Sequence, residues 1–206
     1  MMKKQLVAKI LVFSLALGLS AFGSSAEEVT DDSVQKNDVQ EQQNTEESDA
    51  HILIAYFSRT GNTQEVAKEI QELTEGDIFE IETVDPYPDD YTETTEIAQE
   101  ELNENARPQL SETVENIDQY DTIFLGYPIW WGNAPMAVYT FLESYDLSEK
   151  TIIPFCTSGG TQIEESIPML EENFPDLTFT QGLTANNTDE IQPWLEEIGM
   201  LEAADE

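Results

Sequence analysis

The chain has little positive charge and almost no cysteine. Of its 206 residues only 8 are Lys or Arg, against 43 Asp and Glu, for a formal net charge of −35. So strong a negative field repels nucleic acid and anionic membrane surfaces, and it attracts a basic partner. A single cysteine, Cys156, excludes an intramolecular disulfide. Set in the apolar run Ile152-Ile153-Pro154-Phe155-Cys156, it reads as a small buried hydrophobe rather than a reactive thiol. Long hydrophobic runs are missing as well. The longest, residues 10–22, falls short of the about 20 residues that span a bilayer. Lys3, Lys4 and Lys9 precede or flank it, and Ser24 and Ala26 follow at small-x-small spacing. This pattern predicts a secretory signal over residues 1–26, cut after Ala26. The lack of a cysteine near that point argues against a lipid anchor, and the missing arginine pair favours export in the unfolded state. The expected location is therefore secreted or extracytoplasmic, with membrane contact only through an uncleaved signal segment.

Residues 27–50 carry nine acids, one lysine and no aromatics. Such a stretch cannot bury enough apolar surface to offset its ordering entropy, so a disordered acidic spacer is expected. Residues 51–200 then form one domain, long enough for a core of its own, with 201–206 as an acidic tail. Within the domain, strand and helix periodicities alternate. Strands are expected at 52–57, 78–81, 122–127, 151–156 and 178–180, the last extending towards Leu183. Helices are expected from Val66 to Leu73, Tyr91 to Asn105, Pro135 to Tyr145, Gln162 to Asn173 and Thr188 to Ile198. Continuous apolar strands separated by helices predict an α/β fold with a parallel sheet covered on both faces. Ligands in that class lie at the carboxyl ends of the strands, where the winding reverses.

Charge placement points to the same edge. The domain holds 31 acids and four cations, yet residues 122–142, 151–163 and 177–188 contain no charge at all. Each stretch includes a strand and the loop leaving its carboxyl end. Buried strands are apolar anyway, but uncharged loops in so acidic a chain predict a neutral pocket for an anionic ligand.

Three loops supply the chemistry. Ser58-Arg59-Thr60-Gly61-Asn62-Thr63 joins the first strand to a helix N-terminus, where free N–H groups and the helix dipole favour a phosphate. It lacks the lysine that a nucleoside triphosphate loop requires, which leaves a monophosphate held by neutral donors. Pro128-Ile129-Trp130-Trp131-Gly132-Asn133 places adjacent tryptophans in a loop; their side chains diverge, so at least one indole meets solvent or a flat ligand. Thr157-Ser158-Gly159-Gly160 can pass close to a ligand. A phosphate cradle, an aromatic wall and a glycine loop on one edge suit a planar, phosphorylated, redox-active ring. A phosphorelay receiver is disfavoured, because acids are missing after the first strand and an Asp after the third.

Tyr56-Phe57-Ser58-Arg59-Thr60-Gly61-Asn62-Thr63, Gly126-Tyr127-Pro128-Ile129-Trp130-Trp131-Gly132 and Thr157-Ser158-Gly159-Gly160 resemble the motifs of flavodoxin-like proteins, most of all their exported bacterial branch. The resemblance implies a three-layer doubly wound fold, a five-stranded parallel sheet of order 2-1-3-4-5, and bound FMN. By it Ser58, Thr60, Gly61, Asn62 and Thr63 would hold the phosphate, with Arg59 beside them or facing solvent. Pro128, Ile129, Trp130, Trp131, Gly132 and Asn133 would flank the isoalloxazine, and Thr157, Ser158, Gly159 and Gly160 would close the third side. The acidic loop 85–91 could lend an aromatic but is read as a surface turn, and His51 as a surface residue. No catalytic acid, nucleophile or metal set is expected. The Pro-Ile-Trp-Trp-Gly loop is also similar to that of quinone reductases and azoreductases. Three functions stay open: an extracytoplasmic electron carrier with a basic redox partner, an FMN-dependent NAD(P)H reductase of quinones or azo compounds as small electron acceptors, and a non-redox binding module.

Overall fold

Continuous burial along three apolar strands sets the architecture of this computed structural model, which describes residues 51–202. The expected signal segment, the acidic spacer and residues 203–206 lie outside the described residues. In chain order the elements are β1 (Ile52–Tyr56), α1 (Asn62–Thr74), β2 (Asp77–Glu80), α2 (Tyr91–Glu104), β3 (Thr122–Pro128), α3 (Met136–Glu143), β4 (Thr151–Thr157), α4 (Ile167–Asn173), β5 (Thr178–Phe179), β6 (Leu183–Thr184) and α5 (Ile191–Glu197). The strands run parallel in the order β2-β1-β3-β4-β5, and β6 also pairs with β4.

Successive side chains of a strand point to opposite faces, and both faces here are apolar. Leu53, Ala55, Phe57, Ile123, Leu125 and Tyr127 pack against Ala137, Val138 and Phe141 of α3 and Leu170 of α4. Ile54, Tyr56, Phe124, Ile153 and Phe155 pack on the other face against Val66, Ala67 and Ile70 of α1 and against Trp194 and Leu195 of α5. Each buried Val, Leu, Ile or Phe side chain among them contributes about 1.5–3 kcal/mol. The result is the three-layer α/β sandwich with the expected strand order. Cys156 is fully buried, and burial pushes its thiol up to about 11. His51 is exposed, as read.

Three elements differ from expectation. The helix expected over 188–198 is a 3₁₀ turn, Thr188–Glu190, followed by α5, with Pro193 inside the first turn of α5. The other two differ because of a proline. The helix expected over 162–173 is a short 3₁₀ turn, Ile163–Glu165, followed by α4. Pro168 lacks an N–H and would clash with the carbonyl four residues back, so an α-helix can start there but cannot run through. Buried Ser166 stands at the junction, its hydroxyl 2.8 Å from the Ile163 carbonyl and 3.0 Å from the Tyr127 hydroxyl.

The fifth strand is broken in two. Thr151 and Ile152 pair with Thr178 and Phe179, whereas Phe155 and Cys156 pair with Leu183 and Thr184, so one extra residue enters between the pieces. Ile152 and Cys156 accept from Thr180 and Ala185 with their carbonyls. The residue between them facing the same edge is Pro154, which has no N–H to give. Gly182 fills the gap: a Cβ there would lie 2.8 Å from the Pro154 carbonyl oxygen.

Candidate functional site

The sequence places three loops at the carboxyl ends of β1, β3 and β4, and the structure brings them to one cleft of about 860 Å³. That volume lies within the usual range for small-molecule sites. Ser58, Arg59, Thr60, Asn62, Thr63, Pro128, Ile129, Trp130, Thr157, Ser158 and Gly159 all line it. Gly61, Trp131, Gly132, Asn133 and Gly160 do not; each shapes a lining loop instead.

The first loop is a helix N-terminus left open. Gly61 adopts φ 89°, the left-handed conformation that glycine tolerates, and serves as N-cap of α1 without any side-chain cap. The Ser58 hydroxyl accepts from the Gly61 N–H at 3.2 Å and tightens the turn. The first N–H groups of α1 have no intrahelical acceptor and lie at the positive end of the dipole. Thr63 is buried, and its hydroxyl stands 2.9 Å from that of Thr157 at the end of β4. Arg59 does not point its charge at this N-terminus. Its Nη1 donates to the carbonyls of Pro88 and Asp89 at 3.2 and 3.1 Å.

The aromatic loop is a tight turn. Trp130 and Asn133 exchange backbone hydrogen bonds of 2.9 and 3.0 Å across Trp131 and Gly132, which both take positive φ, 52° and 75°. Glycine accepts this; for Trp131 it is strained, and the indole is held by an Nε1 hydrogen bond of 3.1 Å to the Thr95 carbonyl. Trp131 is 51% exposed, as expected of one of the two indoles. Trp130 is half-buried, edge-on to Phe57 at 5.3 Å and to Tyr87 at 5.1 Å. Asn133 is buried and structural, its Oδ1 accepting from the Ala134 N–H and the Tyr139 hydroxyl.

Loop 85–91 is therefore more than a surface turn. Tyr87 packs under Trp130 and donates to Glu101 at 2.7 Å, and burial followed by that carboxylate raises the phenol well above its usual range. Tyr91, 75% exposed, lines the cleft.

In the third loop, Ser158 turns its hydroxyl to the Gly160 and Thr161 N–H groups, and its own N–H donates to Asn186 at 3.0 Å. Gly159 and Gly160 have ordinary φ, and a Cβ on either would meet nothing within 4 Å. The fold itself makes no demand for glycine there, so the demand must come from a ligand or be absent.

A fourth segment, Ala185 to Asp189 after β6, completes the wall. Its residue types carry no ligand signal, although all of it but Asp189 falls within the charge-free stretch 177–188 that marks this edge. The cleft is less neutral than expected, because Glu65 of α1 and Asp189 also line it. Among the described residues that line it, none is His or Cys, and none of the acidic clusters could hold a metal ion.

A family model described as Flavodoxin matches residues 51–198. A candidate flavoprotein from Bacteroides eggerthii is 39% identical, over 73% of this chain and 98% of that one, with a TM-score of 0.68. One from Bacteroides uniformis is 33% identical over 71% and 98%, with a TM-score of 0.66. A flavoprotein from Lactobacillus acidophilus, solved in complex with FMN, shares the fold at 23% identity over 70% and 98%, with a TM-score of 0.60. No curated protein matches the chain.

Proposed function

We propose that this chain, which belongs to the flavodoxin family, binds FMN in the cleft and transfers electrons outside the cytoplasm. The observation that carries the proposal is the uncapped N-terminus of α1. It opens onto a cleft whose other sides are an aromatic loop and a glycine loop. A monophosphate suits the backbone N–H groups of that first turn, together with the side chains of Thr60, Asn62 and Thr63. Trp130 would flank the ring, braced from behind by Phe57 and Tyr87. Thr157 to Gly159 and the Asn186-Asn187 amides would close the opposite side. When bound, FMN supplies the redox chemistry. The chain supplies binding, orientation and a negative surround; Glu65, Asp189 and the acidic body oppose added negative charge in the cleft and so lower the potential.

The basic start, the apolar run 10–22 and the small-residue site before Glu27 support export. Given the net charge, a basic redox protein is the fitting partner. A second reading, an NAD(P)H-dependent reductase of small acceptors, draws support from an aromatic hollow beside the cleft. Purified holoprotein mixed with NAD(P)H and a quinone separates the two. The carrier turns over only after a flavoprotein reductase is added; prompt NAD(P)H oxidation by the holoprotein alone contradicts the carrier and establishes the reductase.

A further inference from the structure

Beside the cleft lies a second hollow of about 230 Å³, walled by Arg59, Tyr91, Thr95, Ala98, Trp130 and Trp131. By liquid volume it has room for roughly seven or eight waters, the size of a one- or two-ring aromatic. Arg59, Tyr91 and Trp130 belong to both spaces, so a ring seated here would abut whatever Trp130 flanks in the main cleft. We propose that this hollow is a separate binding subsite for a small, uncharged, flat aromatic bearing carbonyl oxygens, the chemistry of a quinone. The proposal rests on the assignment of the main cleft to FMN.

Three observations carry it. First, the walls are aromatic and fixed. Trp131 is pinned to the Thr95 carbonyl, and Arg59 clamps the chain just before Tyr91 through two carbonyls. A large surface indole held at positive φ is costly to keep as mere solvent cover. Second, only Nη1 of Arg59 is committed. Nε and Nη2 make no hydrogen bond within the described residues, which leaves donors at the rim for a carbonyl oxygen. Third, charge selects the ligand. One guanidinium within a chain of net charge −35 can donate to a neutral carbonyl, whereas the surrounding field repels an anion.

The test uses oxidised, FMN-loaded protein with 1,4-naphthoquinone and its 2-sulfonate as probes, read by the indole N–H signals of the tryptophans in NMR. FMN binding is first established by fluorescence titration, in wild type and in Thr95→Phe, which fills the hollow and does not line the cleft. Naphthoquinone is expected to shift the Trp131 and Trp130 signals and leave that of Trp194, buried in the opposite layer, unmoved. Thr95→Phe should weaken probe binding at least tenfold with FMN affinity unchanged, and the sulfonate should bind more weakly than the parent. If Thr95→Phe folds poorly, Ala98→Leu serves the same purpose. Unmoved Trp131, equal shifts at Trp194, or a filling variant that weakens FMN as much as the probe would overturn the subsite. Failure of FMN alone, with naphthoquinone still moving Trp131, would overturn the cofactor assignment and leave the subsite standing.

Discussion

The hydroxyls of Thr63 and Thr157 lie 2.9 Å apart, joining the first turn of α1 to the end of β4 across the floor of the cleft. A hydrogen bond of this kind contributes about 0.5–1.5 kcal/mol net. Thr63→Val keeps the shape but loses the link, so urea unfolding should show a loss of about 1 kcal/mol, with weaker FMN binding. Because the pair is a unit, the double variant with Thr157→Val should cost less than the sum of the singles. Strict additivity would show that the two hydroxyls act separately.

The ring of Phe155 occupies the place a Cβ on Gly126 would need. Both residues are buried, in adjacent strands and in register. Gly126→Ala should therefore overpack the sheet and destabilise the domain by about 1–3 kcal/mol. A fall of several degrees in Tm is expected; an unchanged Tm would mean that Phe155 moves aside freely.

Tyr56 donates to Glu80 at 3.0 Å and accepts from Gln64 at the same distance, and burial is the main cause that pushes its phenol up to about 12. The folded state thus holds this proton over a range in which the unfolded chain, near pH 10, has released it. The stabilisation is complete below pH 10 and is lost as pH rises towards 12. Urea midpoints measured from pH 9 to 12 should fall less steeply for Tyr56→Phe than for wild type. Parallel slopes would contradict the assignment.

Glu65 and Asp189 line the cleft, and Arg59 is turned towards backbone carbonyls. The acidic body should repel the doubly charged phosphate, and salt screens such repulsion over a Debye length of about 10 Å at 0.1 M. FMN affinity should therefore rise severalfold between 20 mM and 500 mM NaCl. A fall would mean that an attractive charge dominates at the phosphate.

Much of this site was legible in the sequence. The strand–glycine–helix junction, the paired tryptophans and the glycine loop announced themselves by residue type, and the charge-free stretches placed them on one edge. What escaped depended on three-dimensional neighbours. The donation of Arg59 to Pro88 and Asp89 joins residues about thirty apart in sequence, and no local pattern encodes it. Tyr91 and Asp189 reach the cleft through helix starts on opposite sides of it. The broken fifth strand was half legible: Pro154 within an apolar run signals a missing donor, but only the register shows that the gap it leaves faces β5 and β6.

The most direct test of the central claim is a parallel fluorescence titration of the purified protein with FMN and with riboflavin, which differ only in the phosphate. The account predicts that FMN emission is quenched with a stoichiometry of one and that riboflavin binds at least tenfold more weakly, because the open first turn of α1 holds the phosphate. Equal affinity for the two, or no quenching of FMN, would contradict it.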